Sequence, residues 1–150
     1  MSAEGLTFVD TNVLVYAYDV DAGTKHHRGR SELVRLWDTQ SGAVSTQVLQ
    51  EFYITVTRKL AKPLAKRLAR DVVTTYRAWP VHRPTVDDIA AASELEEKHR
   101  LSFWDALIIV SAQRCGARTI LSEDLQGGRR FGETSIANPF TSTSPGPSAG

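Results

Sequence analysis

Acidic residues in four segments stand where a chain can gather them into one site. Asp10 follows the apolar run Leu6-Thr7-Phe8-Val9, and Glu123-Asp124 follow Thr119-Ile120-Leu121-Ser122. Asp105 lies near the start of a segment that is apolar nearly all round, Phe103 to Ala112. Glu51 sits in a segment whose apolar residues Leu49, Phe52, Tyr53, Val56 and Leu60 recur at helical spacing. Acids converging at one end of a sheet suit a hard cation, because Mg²⁺ and Mn²⁺ prefer oxygen ligands. Two such ions can activate water and stabilise the leaving oxygen when a phosphodiester is cut.

Each acid also has a plainer reading. Asp10 can be the cap of the helix that follows it. Ser102-x-x-Asp105 has the spacing of a capping box, in which the acid bonds back to the cap residue. The alternative for Asp105 is pairing or a bound cation, because a lone carboxylate on an apolar helix is costly. Taken alone, Glu51 lies opposite its helix's apolar stripe and reads as a surface residue. Glu123 or Asp124 can cap a turn or face the cleft. The four histidines offer no competing metal site. His26 and His27 are adjacent, and His82 and His99 lack a ligand-spaced partner. The single cysteine, Cys115, excludes an internal disulfide and a thiolate zinc site and reads as a small core residue.

The elements that must position these acids alternate between strand and helix. Strands are predicted at Leu6–Val9, Gly42–Val44 and Thr119–Leu121, with a short edge strand at Val81 and another at Thr134–Ile136. Helices are predicted over 13–18, 25–39, 47–60, from Pro63 to about Trp79, over 85–98, and from Ser102 to Cys115. The segment from Gly127 onward otherwise reads as loop, and Thr141 to Gly150, rich in Ser, Pro and Gly, as a disordered tail. This alternation argues for an α/β fold with a small parallel sheet, whose ligands bind beyond the carboxyl ends of the strands. One domain over 1–140 suits a chain of 150 residues.

With 18 Lys and Arg against 17 Asp and Glu, the overall charge names no partner. Two local basic segments stand out: Lys25 to Arg30, and Arg58, Lys59, Lys62, Lys66, Arg67 and Arg70. They are solvated helix faces by default, and phosphate contacts otherwise. No apolar stretch approaches a membrane span, and the N-terminal residues carry no signal-type core, so the chain is expected to be cytoplasmic.

Four segments in order resemble a PIN domain, and more narrowly the VapC-type toxins of bacterial toxin–antitoxin pairs. They are Phe8-Val9-Asp10-Thr11-Asn12-Val13-Leu14-Val15-Tyr16-Ala17-Tyr18-Asp19, Ser45-Thr46-Gln47-Val48-Leu49-Gln50-Glu51-Phe52, Ser102-Phe103-Trp104-Asp105-Ala106-Leu107-Ile108 and Ile120-Leu121-Ser122-Glu123-Asp124-Leu125-Gln126-Gly127. The resemblance implies a three-layer sandwich with a small central parallel sheet flanked by helices. It implies a metal-dependent endoribonuclease in which Asp10, Glu51, Asp105 and Asp124 hold Mg²⁺, with Mn²⁺ able to substitute. That assignment overrides the surface reading of Glu51. Thr11, Asn12 and Ser122 become polar support by the same similarity. Many relatives carry a further Asp where this chain has Gly127, and Glu123 stands as an alternative for the fourth position. The resemblance also implies a homodimer, an RNA substrate and a small VapB-type antitoxin that packs across the active-site groove.

Two other readings compete. A phosphatase of the haloacid-dehalogenase type needs an Asp two residues after the first, where this chain has Asn12. A PIN-like module that binds RNA or a partner without cutting is the non-enzyme alternative, which the presence of all four acids disfavours.

Overall fold

The computed structural model describes residues 5–141. The expected tail from 142 onward lies outside the described residues. Thr141 itself is held, its carbonyl accepting a hydrogen bond from Arg28 at 2.9 Å.

The chain alternates as the patterning predicts. Strand β1 spans Leu6–Val9, β2 Gly42–Ser45, β3 Val81–His82, β4 Ala117–Leu121, β5 Arg130–Phe131 and β6 Thr134–Ala137. Helix α1 spans Thr11–Tyr18, α2 Thr24–Thr39, α3 Thr46–Arg58, α4 Lys66–Thr75, α5 Val86–His99 and α6 Phe103–Arg114. The strands form one sheet in the order β3-β2-β1-β4-β6-β5, parallel except for the β5–β6 pair. Helices flank this sheet: α1 packs on α2 and α3, while α5 packs on α6. No helix among the described residues is long and apolar enough to cross a membrane.

Local chemistry sets most of the boundaries. Asp10, Ser45, Thr85 and Ser102 are the caps of α1, α3, α5 and α6, each accepting a backbone N–H in the helix it starts. The core runs through the sheet, with Phe8, Val9, Val44 and Ile120 fully buried against Leu14, Leu36, Phe52 and Ile109. A smaller cluster of Ala92, Ala106, Leu107 and Val110 joins α5 to α6. Gly42 opens β2 beneath the Trp79 ring, where an added Cβ would lie 2.4 Å from the indole, so only glycine lets the two meet.

Two elements differ from expectation. Pro63 does not open a helix that reaches Trp79. The Leu64 N–H instead donates to the Val56 carbonyl at 2.8 Å, folding the turn back onto α3. Helix α4 then starts at Lys66 and gives way to a 3₁₀ turn over Tyr76–Ala78. The second difference is β5, which the sequence reading leaves as loop. A two-residue strand has no periodicity to read, and it exists because Gly132, at φ 62°, turns the chain back onto β6.

Candidate active site

Strands β1 and β4 lie side by side in parallel, with Val9 beside Leu121. Beyond them the sheet grows in opposite directions, to β2 from β1 and to β6 from β4. Such a switch opens a crevice past the carboxyl ends of the two strands. Asp10 and Ser122 are the residues that leave them.

Asp10 is 6% exposed. Its Oδ1 accepts the Thr11 N–H at 2.7 Å, which makes it the cap of α1. Its Oδ2 accepts the Ser122 hydroxyl at 2.8 Å. One Asp10 oxygen therefore starts α1 while the other faces the end of β4. The fully buried Ser122 oxygen in turn accepts the N–H groups of Asp124 at 3.1 Å and Leu125 at 3.2 Å. One hydroxyl thus fixes the turn that presents Asp124.

Asn12 ties the same turn to α1. Its amide Nδ2 reaches Asp124 Oδ2 at 3.1 Å and Asp10 Oδ2 at 3.4 Å, while its Oδ1 accepts the Glu123 N–H at 3.0 Å. Asn12→Ala is expected to weaken divalent-metal binding about 10- to 100-fold, the usual effect of losing a group that orients ligating carboxylates. Titration of Mn²⁺ into the variant and the parent checks this.

Glu51 is not the free surface residue its helical position suggests. Its Oε1 accepts the Thr11 hydroxyl at 2.8 Å, and its Oε2 accepts the Gln47 amide at 3.3 Å. Packing of α3 along α1 makes this contact. Gln47, which the sequence reading passes over, is 7% exposed, and its Oε1 has no hydrogen-bond partner among the described residues. A polar residue four positions before a candidate acid is the one signal that pointed to it.

Asp105 sits in the first turn of α6, where its N–H donates to Ser102 Oγ at 3.1 Å. The reciprocal bond that completes a capping box is made at Thr85–Asp88, with Thr85 N–H on Asp88 Oδ2 at 2.9 Å, but not at Ser102–Asp105. The capping-box reading of Asp105 is therefore only half realised, with the Ser102 hydroxyl the cap's one link to its side chain.

The acids feel one another. Burial, opposed by the bonds from Ser122 and Thr11 and reinforced by the charges of Asp124 and Asp105, raises the Asp10 carboxyl to about 6. Burial also raises Asp105, opposed by the Ser102 hydroxyl and reinforced by the charges of Asp124 and Glu51. Among the described residues, no three Asp, Glu, His or Cys side chains are drawn into a ready-made ion cage. An all-oxygen, mutually repelling set still fits a hard cation, because Mg²⁺ commonly takes one or two carboxylates and completes its shell with water and substrate oxygens.

Glu123 is directed elsewhere. Its carboxylate accepts the Tyr16 hydroxyl at 2.8 Å and pairs with the Lys25 ammonium. Partial burial works to raise it, but Lys25 and Tyr16 outweigh burial and hold it below its ordinary value. Of the other basic residues, Arg28 reaches the Pro139 and Thr141 carbonyls, and Lys62 lies 3.8 Å from Asp21. Arg70 lines an apolar groove with Thr46, Gln50 and Tyr53, beside the start of α3.

The model of the PIN domain family matches residues 7–130. Comparison with curated proteins finds no match. Among solved structures, the chain is similar to VapC20 of Mycobacterium tuberculosis, described as a sarcin-ricin loop cleaving toxin. The identity is 21% over 79% of this chain and 89% of that one, with a TM-score of 0.59. A toxin–antitoxin complex from Klebsiella pneumoniae matches at 14% identity over 89% and 98% of the two chains, TM-score 0.63. VapBC2 of Rickettsia felis, bound to a DNA fragment from its promoter, matches at 18% identity over 89% and 98%, TM-score 0.61. At these identities the structural likenesses speak for the fold, and the family match speaks for descent: the chain belongs to the PIN domain family.

Proposed function

We propose that the chain is a divalent-metal-dependent endoribonuclease and the toxin of a toxin–antitoxin pair. One observation supports the reading: Asp10, Glu51, Asp105 and Asp124 come from four separate segments yet their charges act on one another, and the Asp10 and Asp105 carboxyls are raised by burial and by those charges. Asp10 and Asp105 are the firmest candidates to hold the ion, with Glu51 and Asp124 completing the set. Bound there, a divalent cation supplies Lewis acidity to a phosphoryl oxygen and a more acidic water.

The protein's own groups do the positioning. Ser122 and Asn12 fix Asp10 and Asp124 relative to each other, and Thr11 and Gln47 hold both oxygens of Glu51. These neutral donors orient the carboxylates without consuming their charge, which leaves it available to a cation. The solved likenesses include toxin–antitoxin complexes, which supports an antitoxin protein as partner and a VapB-type one in particular. A homodimer is the assembly that accompanies this reading.

Cleavage of mixed RNA is expected with Mg²⁺ or Mn²⁺ and is expected to stop when a chelator is in excess. Full cleavage by metal-stripped protein in excess chelator would remove the metal from the proposal. Intact RNA under every metal condition would favour the non-cutting PIN-like module instead.

A further inference from the structure

Helix α6 is apolar nearly all round and is expected to be covered on every side. From Ala106 to Ala112 it is. Trp104 is not: its side chain is 60% exposed, and it is the one aromatic residue in the exposed class among the described residues. The exposure does not come from a solvent-facing side of the helix. Leu107, Ile108 and Ser111, which follow Trp104 at three, four and seven residues and so continue its stripe, are 5%, 2% and 0% exposed. Trp104 heads a core-facing stripe, one turn past the point where the core ends. That end of α6 also carries Asp105, the next residue, whose charge acts on Asp10.

The indole is held in place. Phe103 meets it edge to face, with ring centroids 5.2 Å apart and planes at 80°. Phe103 is itself anchored on the Ala92, Ala106, Leu107 and Val110 cluster. A tryptophan left to water on a folded chain loses the burial that usually favours it, and a rigid, flat one invites a flat partner.

We propose that Trp104 is a stacking platform for an unpaired base of the RNA strand whose phosphodiester lies at the acids. The proposal rests on the ribonuclease reading and adds a residue that touches substrate. Single-stranded RNA is held by bases stacked on aromatic rings together with backbone contacts to cations. Beside the acids, Lys25 is already paired with Glu123. Stacking needs no positive charge, so it suits the edge of an acidic site. It is also tolerant of base identity, because every base has a π face.

The test uses a fluorescein-labelled, mixed-sequence RNA 12-mer, with Ca²⁺ in place of Mg²⁺ so that the strand is held and not cut. Trp104→Ala is expected to raise Kd about 5- to 150-fold, the range for losing one stacked aromatic. Trp104→Phe should stay within a few-fold of the parent, and Trp104→Leu should resemble the alanine variant. The dependence of log Kd on log salt should keep its slope in all three, because no phosphate contact is lost. RNA should quench indole fluorescence in the parent and do so far less in Trp104→Phe, a variant that keeps an aromatic ring and remains informative if the alanine variant folds poorly. A leucine variant that binds like the parent would overturn stacking. So would an alanine variant with unchanged Kd but altered sedimentation mass, which would make Trp104 a contact between copies of the chain. Failure of the folded parent to bind or cut any RNA would instead remove the ribonuclease reading, and this proposal with it.

Discussion

Asp105→Asn is expected to lower RNA cleavage by at least about 10²–10³-fold, the scale of losing one electrostatic contributor in an active site. The metal-free protein should melt at the same temperature or higher. These opposite signs follow from the charges at the site. Burial first, and then Asp124 and Glu51, raise the Asp105 carboxyl, so in the absence of a cation its negative charge works against folding. It also adds to the load on Asp10, whose carboxyl stands at about 6 against 3.8 for an unperturbed aspartate. Between those two values the folded chain holds a proton that the unfolded chain has released. Stability of the metal-free protein should therefore fall as pH rises from about 4 to about 6, then level off. Asp105→Asn should shrink that fall, and Mg²⁺ should oppose it in the parent. Single-turnover cleavage, with thermal unfolding in chelator and in Mg²⁺ across this pH range, measures all of it. An active but destabilised variant would assign Asp105 to starting α6 and nothing more.

Asp88→Ala is expected to produce the largest loss of stability with little change in cleavage per folded molecule. The Asp88 carboxylate is buried and joins three elements. It accepts the Thr85 N–H at 2.9 Å at the start of α5, His82 Nε2 at 2.8 Å from β3, and Arg114 Nε at 2.8 Å from the end of α6. Breaking a buried ion pair from one side costs about 3–5 kcal/mol. The Arg114 side chain is 47% exposed and regains water, so about 2–4 kcal/mol is the better expectation. For a chain of this size that is a fall in Tm of about 5–15 °C. The Thr85 N–H first, and then Arg114, hold the Asp88 carboxyl well below the usual range, against the opposing effect of burial. A depressed acid contributes its stability above the unfolded pKa and loses it as pH falls below that value. The gap between parent and variant should thus be constant at neutral pH and narrow below about pH 4. Urea unfolding at pH 7 and pH 3 tests this, and an equal gap at both would show that packing, not charge, is what Asp88 supplies.

What the sequence determined about this protein is what short-range chemistry controls. The period of apolar residues located α3, and continuous apolar runs located β1 and α6. Cap residues placed their starts, and the Thr85–Asp88 capping box is legible in four consecutive residues and present in the structure. Asp10 and Asp105 were visible because each adjoins an element end that is marked locally. The fates of four other side chains were decided only by the tertiary structure. Glu51 reads as solvated until α3 lies along α1 and brings it to Thr11, forty residues away. Glu123 reads as a possible fourth acid until Tyr16 and Lys25 take its carboxylate. Gln47 is buried beside Glu51 although it is polar, and Trp104 is exposed although it is the largest apolar residue on its helix. Helical period tells which residues share a face. It does not tell what covers that face or where along the helix the core stops, because both depend on neighbours that are distant in the chain.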